Sequence, residues 1–323
     1  MREVLALLVV LGIWTTINGH ASDHPYATKL TGPLTTFTDV GGWWRIGDHR
    51  LQCGTENDIP VPGDYLNEGS KRIAVFRPSN GYWYIKGKGE KDWGASAGNV
   101  ALQCGMNGDV PVPGDYNGDG IVDIAVWRPS VGYWYIKGKG TSHWAASSGN
   151  IGVQCGQRGD VPVPMDYFNE GKLRLAVWRP SNGVWYIKGD NRILHWNQSN
   201  GNIALQCGMS GDIPVPGDYF GDGIVRLAVW RPSNGVWYIK GSIQASWALS
   251  GGNVAVQCGM QGDIPVPYDY FNEGKLRIAV YRPSNGAWYI KGDGVQNWGS
   301  SAGNVVFYKG NVDSHSKIPV HLV

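Results

Sequence analysis

Five cysteines, Cys53, Cys104, Cys155, Cys207 and Cys258, each occupy the middle of a Gln-Cys-Gly tripeptide. A disulfide needs Cα atoms within about 7 Å. Equivalent atoms on neighbouring repeats of a ring stand about one radius apart, so free, buried thiols that pack as small hydrophobes are expected. The Cys-x-x-Cys and Cys/His spacings of zinc sites are absent. Two sets of tryptophans recur. Trp83, Trp134, Trp185, Trp237 and Trp288 sit inside an apolar run and belong to the core on this reading. Trp93, Trp144, Trp196, Trp247 and Trp298 follow a loop of variable sequence and are the candidate ligand-binding residues. An indole stacks on the apolar face of a sugar ring while nearby Asn and Asp bond its hydroxyls. The seven histidines are scattered through the ends and two variable loops. None is joined to a uniquely placed Ser, Cys or carboxylate pair, so no catalytic residue is expected and the chain is not read as an enzyme. Asn197-Gln198-Ser199 is a glycosylation sequon, with Asn197 as acceptor.

The elements that position these residues follow from the spacing of the tripeptides. They end at Gly54, Gly105, Gly156, Gly208 and Gly259, a period of about 50 residues. Each repeat holds four apolar runs separated by turn chemistry. In the fourth repeat the first run, Asp212 to Pro216, is edge-like because each proline removes a ladder donor. A polar glycine loop leads to the second run, Arg226 to Trp230. Arg231-Pro232-Ser233-Asn234-Gly235 then supplies the chemistry of a tight hairpin before the third run, Val236 to Lys240. The fourth run, Asn253 to Cys258, follows the variable loop. Together with 48 Gly, 18 Pro, 16 Trp and only 17% charged residues, this predicts an all-β fold, a β-propeller of four-stranded antiparallel blades. A blade cannot cover its own two faces; stacking does so, and near-continuous apolar runs are expected to result.

The repeats cover about 54–104, 105–155, 156–207, 208–258 and 259–310, each a full blade. The segments 34–53 and 316–323 match the remaining pieces of a blade, so a composite blade joined from both ends gives an expected count of six, with five as the alternative. Residues 1–21 read as a signal peptide, with Arg2 before an apolar core and Gly19-His20-Ala21 at the cleavage site. Residues 22–33 read as a tail, and 34–323 as a single propeller domain of a secreted, extracellular protein without membrane insertion. A formal net charge of +2 gives no long-range field that would favour nucleic acid.

Asp115-Tyr116-Asn117-Gly118-Asp119-Gly120-Ile121-Val122-Asp123, followed by Ile124-Ala125-Val126, resembles the FG-GAP, or VCBS-like, repeats of integrin-α-type propellers. The segment from Gly-Asp-Tyr to Arg-Pro-Ser-Asn-Gly-x-Trp-Tyr recurs with substitutions in all five repeats, so the likeness spans most of the chain. The resemblance implies one Ca²⁺ site, with side-chain oxygens from Asp115, Asn117, Asp119 and Asp123 and the carbonyl of Ile121. In the other four repeats the last carboxylate is replaced by Arg72, Arg174, Arg226 or Arg277. Each guanidinium is expected to replace the cation and to bridge the two carboxylates that remain, such as Asp64 and Glu68.

The functional expectation is a ligand-binding, lectin-like module whose partner is a carbohydrate or a matrix glycoconjugate, with repeated shallow sites giving avidity. Two alternatives stand beside it: a structural protein of an extracellular matrix, coat or mineralised layer, and an adhesion partner resembling integrin-type propellers.

Overall fold

The structure, a computed structural model, describes residues 36–38, 42–46, 49–69, 71–87, 98–137, 150–189, 202–241, 252–271, 273–292, 304–308 and 317–319. Their regular elements are 24 short β-strands. The N-terminal strands are β1 (Thr36–Thr38), β2 (Trp43–Ile46) and β3 (His49–Gln52). The first full repeat supplies β4 (Ile59–Pro60), β5 (Ala74–Arg77), β6 (Tyr82–Ile85) and β7 (Val100–Gln103). The second supplies β8 (Val110–Pro111), β9 (Ala125–Arg128), β10 (Tyr133–Ile136) and β11 (Ile151–Gln154). In the third these become β12 (Val161–Pro162), β13 (Ala176–Arg179), β14 (Val184–Ile187) and β15 (Ile203–Gln206). The fourth has β16 (Ile213–Pro214), β17 (Ala228–Arg231), β18 (Val236–Ile239) and β19 (Val254–Gln257). The fifth has β20 (Ile264–Pro265), β21 (Ala279–Arg282), β22 (Ala287–Ile290) and β23 (Val305–Tyr308), and β24 (Lys317–Pro319) ends the series.

The fold is all-β, with the four-stranded antiparallel blades of a β-propeller. One compact unit comprises the described residues before Gly159 together with β24. It contains the sheets β24-β1-β2-β3, β4-β5-β6-β7 and β8-β9-β10-β11. The other unit runs from Gly159 to Tyr308 and contains β12-β13-β14-β15, β16-β17-β18-β19 and β20-β21-β22-β23. Each of the five repeats therefore makes one blade. The composite sheet expected from the ends is also formed, with β1 pairing β24 through Thr36↔Pro319, Phe37↔Ile318 and Thr38↔Lys317.

Local chemistry explains the blade. The first strand lies at a sheet edge, where its prolines withhold no required ladder bond. The hairpin between the second and third strands closes on a positive-φ glycine, Gly81 at 71° in the first repeat. There the N–H of Gly81 donates to the carbonyl of Arg77 at 2.8 Å, and Asn80 Oδ1 accepts from the N–H of Tyr82 at 3.0 Å. The glycine of each Gln-Cys-Gly meets a tighter constraint. Gly208 has a φ of 109°, and a Cβ there would stand 2.9 Å from Val229 of the next blade and 3.4 Å from Trp178 of its own. Consecutive blades thus press against that bare backbone.

Burial departs from the expected near-continuous pattern. The second strand is buried on both faces, as in Ala228, Val229 and Trp230 at 0% exposure. The third strand alternates in the first four repeats, and the fourth is intermediate and exposed in turn along Ile203–Gln206. The fourth strand forms the other sheet edge, and alternate side chains along it are exposed.

Candidate functional site

An open groove of about 290 Å³ lies between the blades of the third and fourth repeats, within one unit. Gln206, Cys207 and Gly208 line it from one blade; Val229, Ile239 and Val254 give it an aliphatic floor from the next. Arg231, Tyr238, Lys240 and Asn253 supply its polar groups, and no carboxylate lines it. The register Ile213↔Trp230 sets Asp212 opposite Arg231. Arg231 donates through Nε to Asp212 Oδ1 at 2.7 Å and through Nη2 to Oδ2 at 2.9 Å. Asp212 Oδ2 also accepts the N–H of Met209 at 3.0 Å, and the Asp212 side chain is 1% exposed. The guanidinium carbon lies 4.4 Å from the centroid of Tyr238, whose hydroxyl accepts from Asn234 Nδ2 at 3.2 Å. The bond to Asp212 holds the pKa of Arg231 above its ordinary value. A bidentate, charge-assisted pair under a cation–π contact fixes both polar side chains before any ligand arrives.

The same constellation recurs as Asp58–Arg77–Tyr84, Asp109–Arg128–Tyr135, Asp160–Arg179–Tyr186 and Asp263–Arg282–Tyr289. Sequence reasoning missed it. Its partners lie far apart along the chain and only the antiparallel register joins them. The available signal was an Asp before each Ile-Pro or Val-Pro and an Arg before each Pro-Ser, repeated in step.

The cysteines are free and buried, as expected. Burial pushes the Cys53 thiol up to about 11 and those of Cys104, Cys207 and Cys258 up to about 12. Their carbonyls do more than their sulfurs. Trp185 Nε1 donates to the carbonyl of Cys207 at 2.8 Å, and Trp178 Nε1 donates to the same oxygen at 3.2 Å. Trp83, Trp134 and Trp237 likewise donate to the carbonyls of Cys104, Cys155 and Cys258. The first tryptophan set, including Trp288 at 3% exposure, is core. The candidate ligand-binding residues Trp93, Trp144, Trp196, Trp247 and Trp298 and the acceptor Asn197 lie outside the described residues, as does the signal segment 1–21.

The acidic loops divide as their sequences do. In the second repeat Asp115 accepts backbone N–H groups of Gly118 at 2.6 Å and Gly120 at 2.8 Å. Asn117 Oδ1 accepts from Asp119 N–H at 2.8 Å, and Asp119 Oδ1 from Ile121 N–H at 2.9 Å. Asp123 is 3% exposed and accepts from the N–H of Tyr116 at 3.1 Å. Its burial, with the charges of Asp119 and Asp115 adding to it, pushes its carboxyl up to about 7. Among the described residues no three His, Cys, Asp or Glu side chains converge as a formed metal cluster. The donor set is nevertheless all oxygen, and its buried carboxylate faces other carboxylates, which suits a hard cation in kind.

In the other repeats the expected bridge between two carboxylates is corrected. Arg72, Arg174, Arg226 and Arg277 pair with Glu68, Glu170, Asp222 and Glu273, the central acidic residue of each loop. The opening aspartate is engaged elsewhere: Asp64 accepts the N–H of Glu68 at 3.0 Å and of Gly69 at 2.8 Å. The guanidinium instead reaches carbonyls, such as that of Gly189 from Arg174 at 2.9 Å and of Ile224 from Arg226 at 2.8 Å. Capping of the turn by the first carboxylate leaves only the second to meet the arginine.

No family model and no curated protein matches the chain. Among solved structures it is similar to an Agrocybe aegerita lectin described as specifically recognising non-reducing terminal N-acetylglucosamine. That match has a TM-score of 0.53 and 12% identity, covering 88% of this chain and 79% of the lectin. It is also similar to a streptogramin B lyase, with a TM-score of 0.48 and 9% identity over 88% of this chain and 85% of the lyase.

Proposed function

We propose that this chain is a secreted carbohydrate-binding module that presents several equivalent shallow sites and carries out no reaction. The observation that carries the reading is the inter-blade groove. It is concave, has an aliphatic floor and a rim of fixed polar side chains, and is large enough for one sugar ring, near the lower end of small-molecule pockets at about 300 Å³. The residues that build it recur in step with the repeat, so its chemistry is encoded more than once. The lectin similarity is in keeping with this reading but bears on fold alone.

The second tryptophan set remains part of the proposal. The loop carrying Trp247 leaves after Gly241 and returns at Gly252, next to the groove residues Lys240 and Asn253. Those two roots are held together by the bond from Gly241 N–H to Asn253 Oδ1 at 3.1 Å. Binding of the mature chain to a glycan array is the test. Selective binding to saccharides, weakened by Trp144→Ala and Trp247→Ala, is expected. A blank array would remove the reading.

A calcium ion belongs to the proposal as a structural cofactor, held by Asp115, Asn117, Asp119, Asp123 and the carbonyl of Ile121. It would supply the positive charge that arginine supplies in the other four loops. Metal analysis after equilibration with Ca²⁺ is expected to give about one ion per chain. Four or more would contradict the arginine substitution.

A further inference from the structure

We infer that the groove between the blades of the third and fourth repeats selects an acidic saccharide, a pyranose ring carrying a carboxylate or a sulfate, and that Lys240 is the selecting residue. This rests on the carbohydrate reading above and names the class of sugar.

The argument is one of charge accounting at a single site. Two cations line the groove, Arg231 and Lys240, and no Asp or Glu does. The charge of Arg231 is already met by Asp212, whose carboxylate lies beneath it, 1% exposed and fully engaged with Arg231 and the backbone of Met209. Lys240 pairs with no carboxylate among the described residues, and its ammonium is near enough to act electrostatically on the buried Cys207 thiol. Among the described residues the groove therefore carries one positive charge that no carboxylate meets, above an aliphatic floor. A neutral sugar leaves that charge unused. A ring bearing an anionic group meets it with a charge-assisted hydrogen bond while its C–H face covers the floor.

The position of Lys240 recurs in the sequence. Lys86, Lys137, Lys188 and Lys291 occupy the same position of the other repeats, each one residue after the isoleucine that ends the third strand. Each is followed, across the variable loop, by the asparagine equivalent to Asn253.

The test is calorimetric titration of the intact chain with three oligosaccharides of equal length: an oligogalacturonate, a chondroitin sulfate fragment and a chitin oligomer. At least one acidic ligand is expected to bind about tenfold or more tightly than the neutral one, with the preference shrinking as salt rises. The carboxylate-only and sulfated arms decide which anionic group is read. Lys240→Gln is expected to lower the preference, and Lys240→Arg to keep it, with both variants melting like the wild type. Equal binding of neutral and acidic ligands, or a preference undiminished in the Gln variant, would overturn the inference while leaving the carbohydrate reading in place. Absence of binding to all three saccharides, together with a blank glycan array, would remove both.

Discussion

Asp212 and Arg231 illustrate what individual residues contribute to this protein. The carboxylate is buried and the guanidinium is partly exposed, so removing the cation strands a charge that water cannot reach. Arg231→Met is expected to lower stability by about 3 kcal/mol in urea denaturation, whereas Lys240→Gln should change it by less than about 0.5 kcal/mol. Asp123 gives a pH signature. Its folded-state pKa is raised to about 7 from an ordinary 3.8, so the folded state holds a proton that the unfolded chain has released. The associated stability is present below about pH 4 and is lost as pH rises through about 7. Calcium-free protein should therefore melt progressively lower between those limits, and Asp123→Asn should flatten that decline; an unchanged slope in the variant would assign it to other groups. The thiols should be inert to a thiol reagent at pH 8 in the native chain and all five should react after unfolding. Much of this scale was legible from the sequence. The buried thiols followed from their equivalence around the repeat, but the Asp–Arg–Tyr constellation did not, because antiparallel register, not local spacing, brings Asp212 to Arg231.

At the scale of the blade, the Gln-Cys-Gly tripeptide joins three functions in consecutive residues. Gln206 Nε2 donates to the carbonyls of Asn182 and Gly208, each at 2.8 Å, tying the fourth strand to the hairpin. The carbonyl of Cys207 receives two indoles, and Gly208 lets the next blade approach. Gly208→Ala meets both an unfavourable φ and the side chain of Val229, and should cost about 1 to 3 kcal/mol, read as a lowered urea midpoint. The hairpin and the edge position of the first strand were readable from Pro, Asn and Gly alone, since those residues act through their own backbones. The alternating burial of the third and fourth strands was not, because it depends on what covers each face of the sheet. The arginine loops divide similarly. Replacement of a carboxylate by Arg72 or Arg174 is visible in the sequence, while the choice of a single carboxylate partner follows from turn capping by the opening aspartate.

Across the whole molecule, one motif repeated five times yields five blades, and the chain ends supply a further sheet by pairing β1 with β24. Deleting residues from 316 onward would leave β1 as an unpaired edge and should promote self-association, seen by light scattering. On the proposed reading, a ligand with several acidic sugars engages more than one repeat-encoded site at a high effective concentration, which makes weak single sites useful. The most direct test of this account counts ligands on the intact chain by native mass spectrometry with a short acidic oligosaccharide. Repeat-encoded binding predicts successive additions beyond the first, up to the five copies of the lysine-bearing groove sequence. Saturation at a single ligand per chain would contradict it.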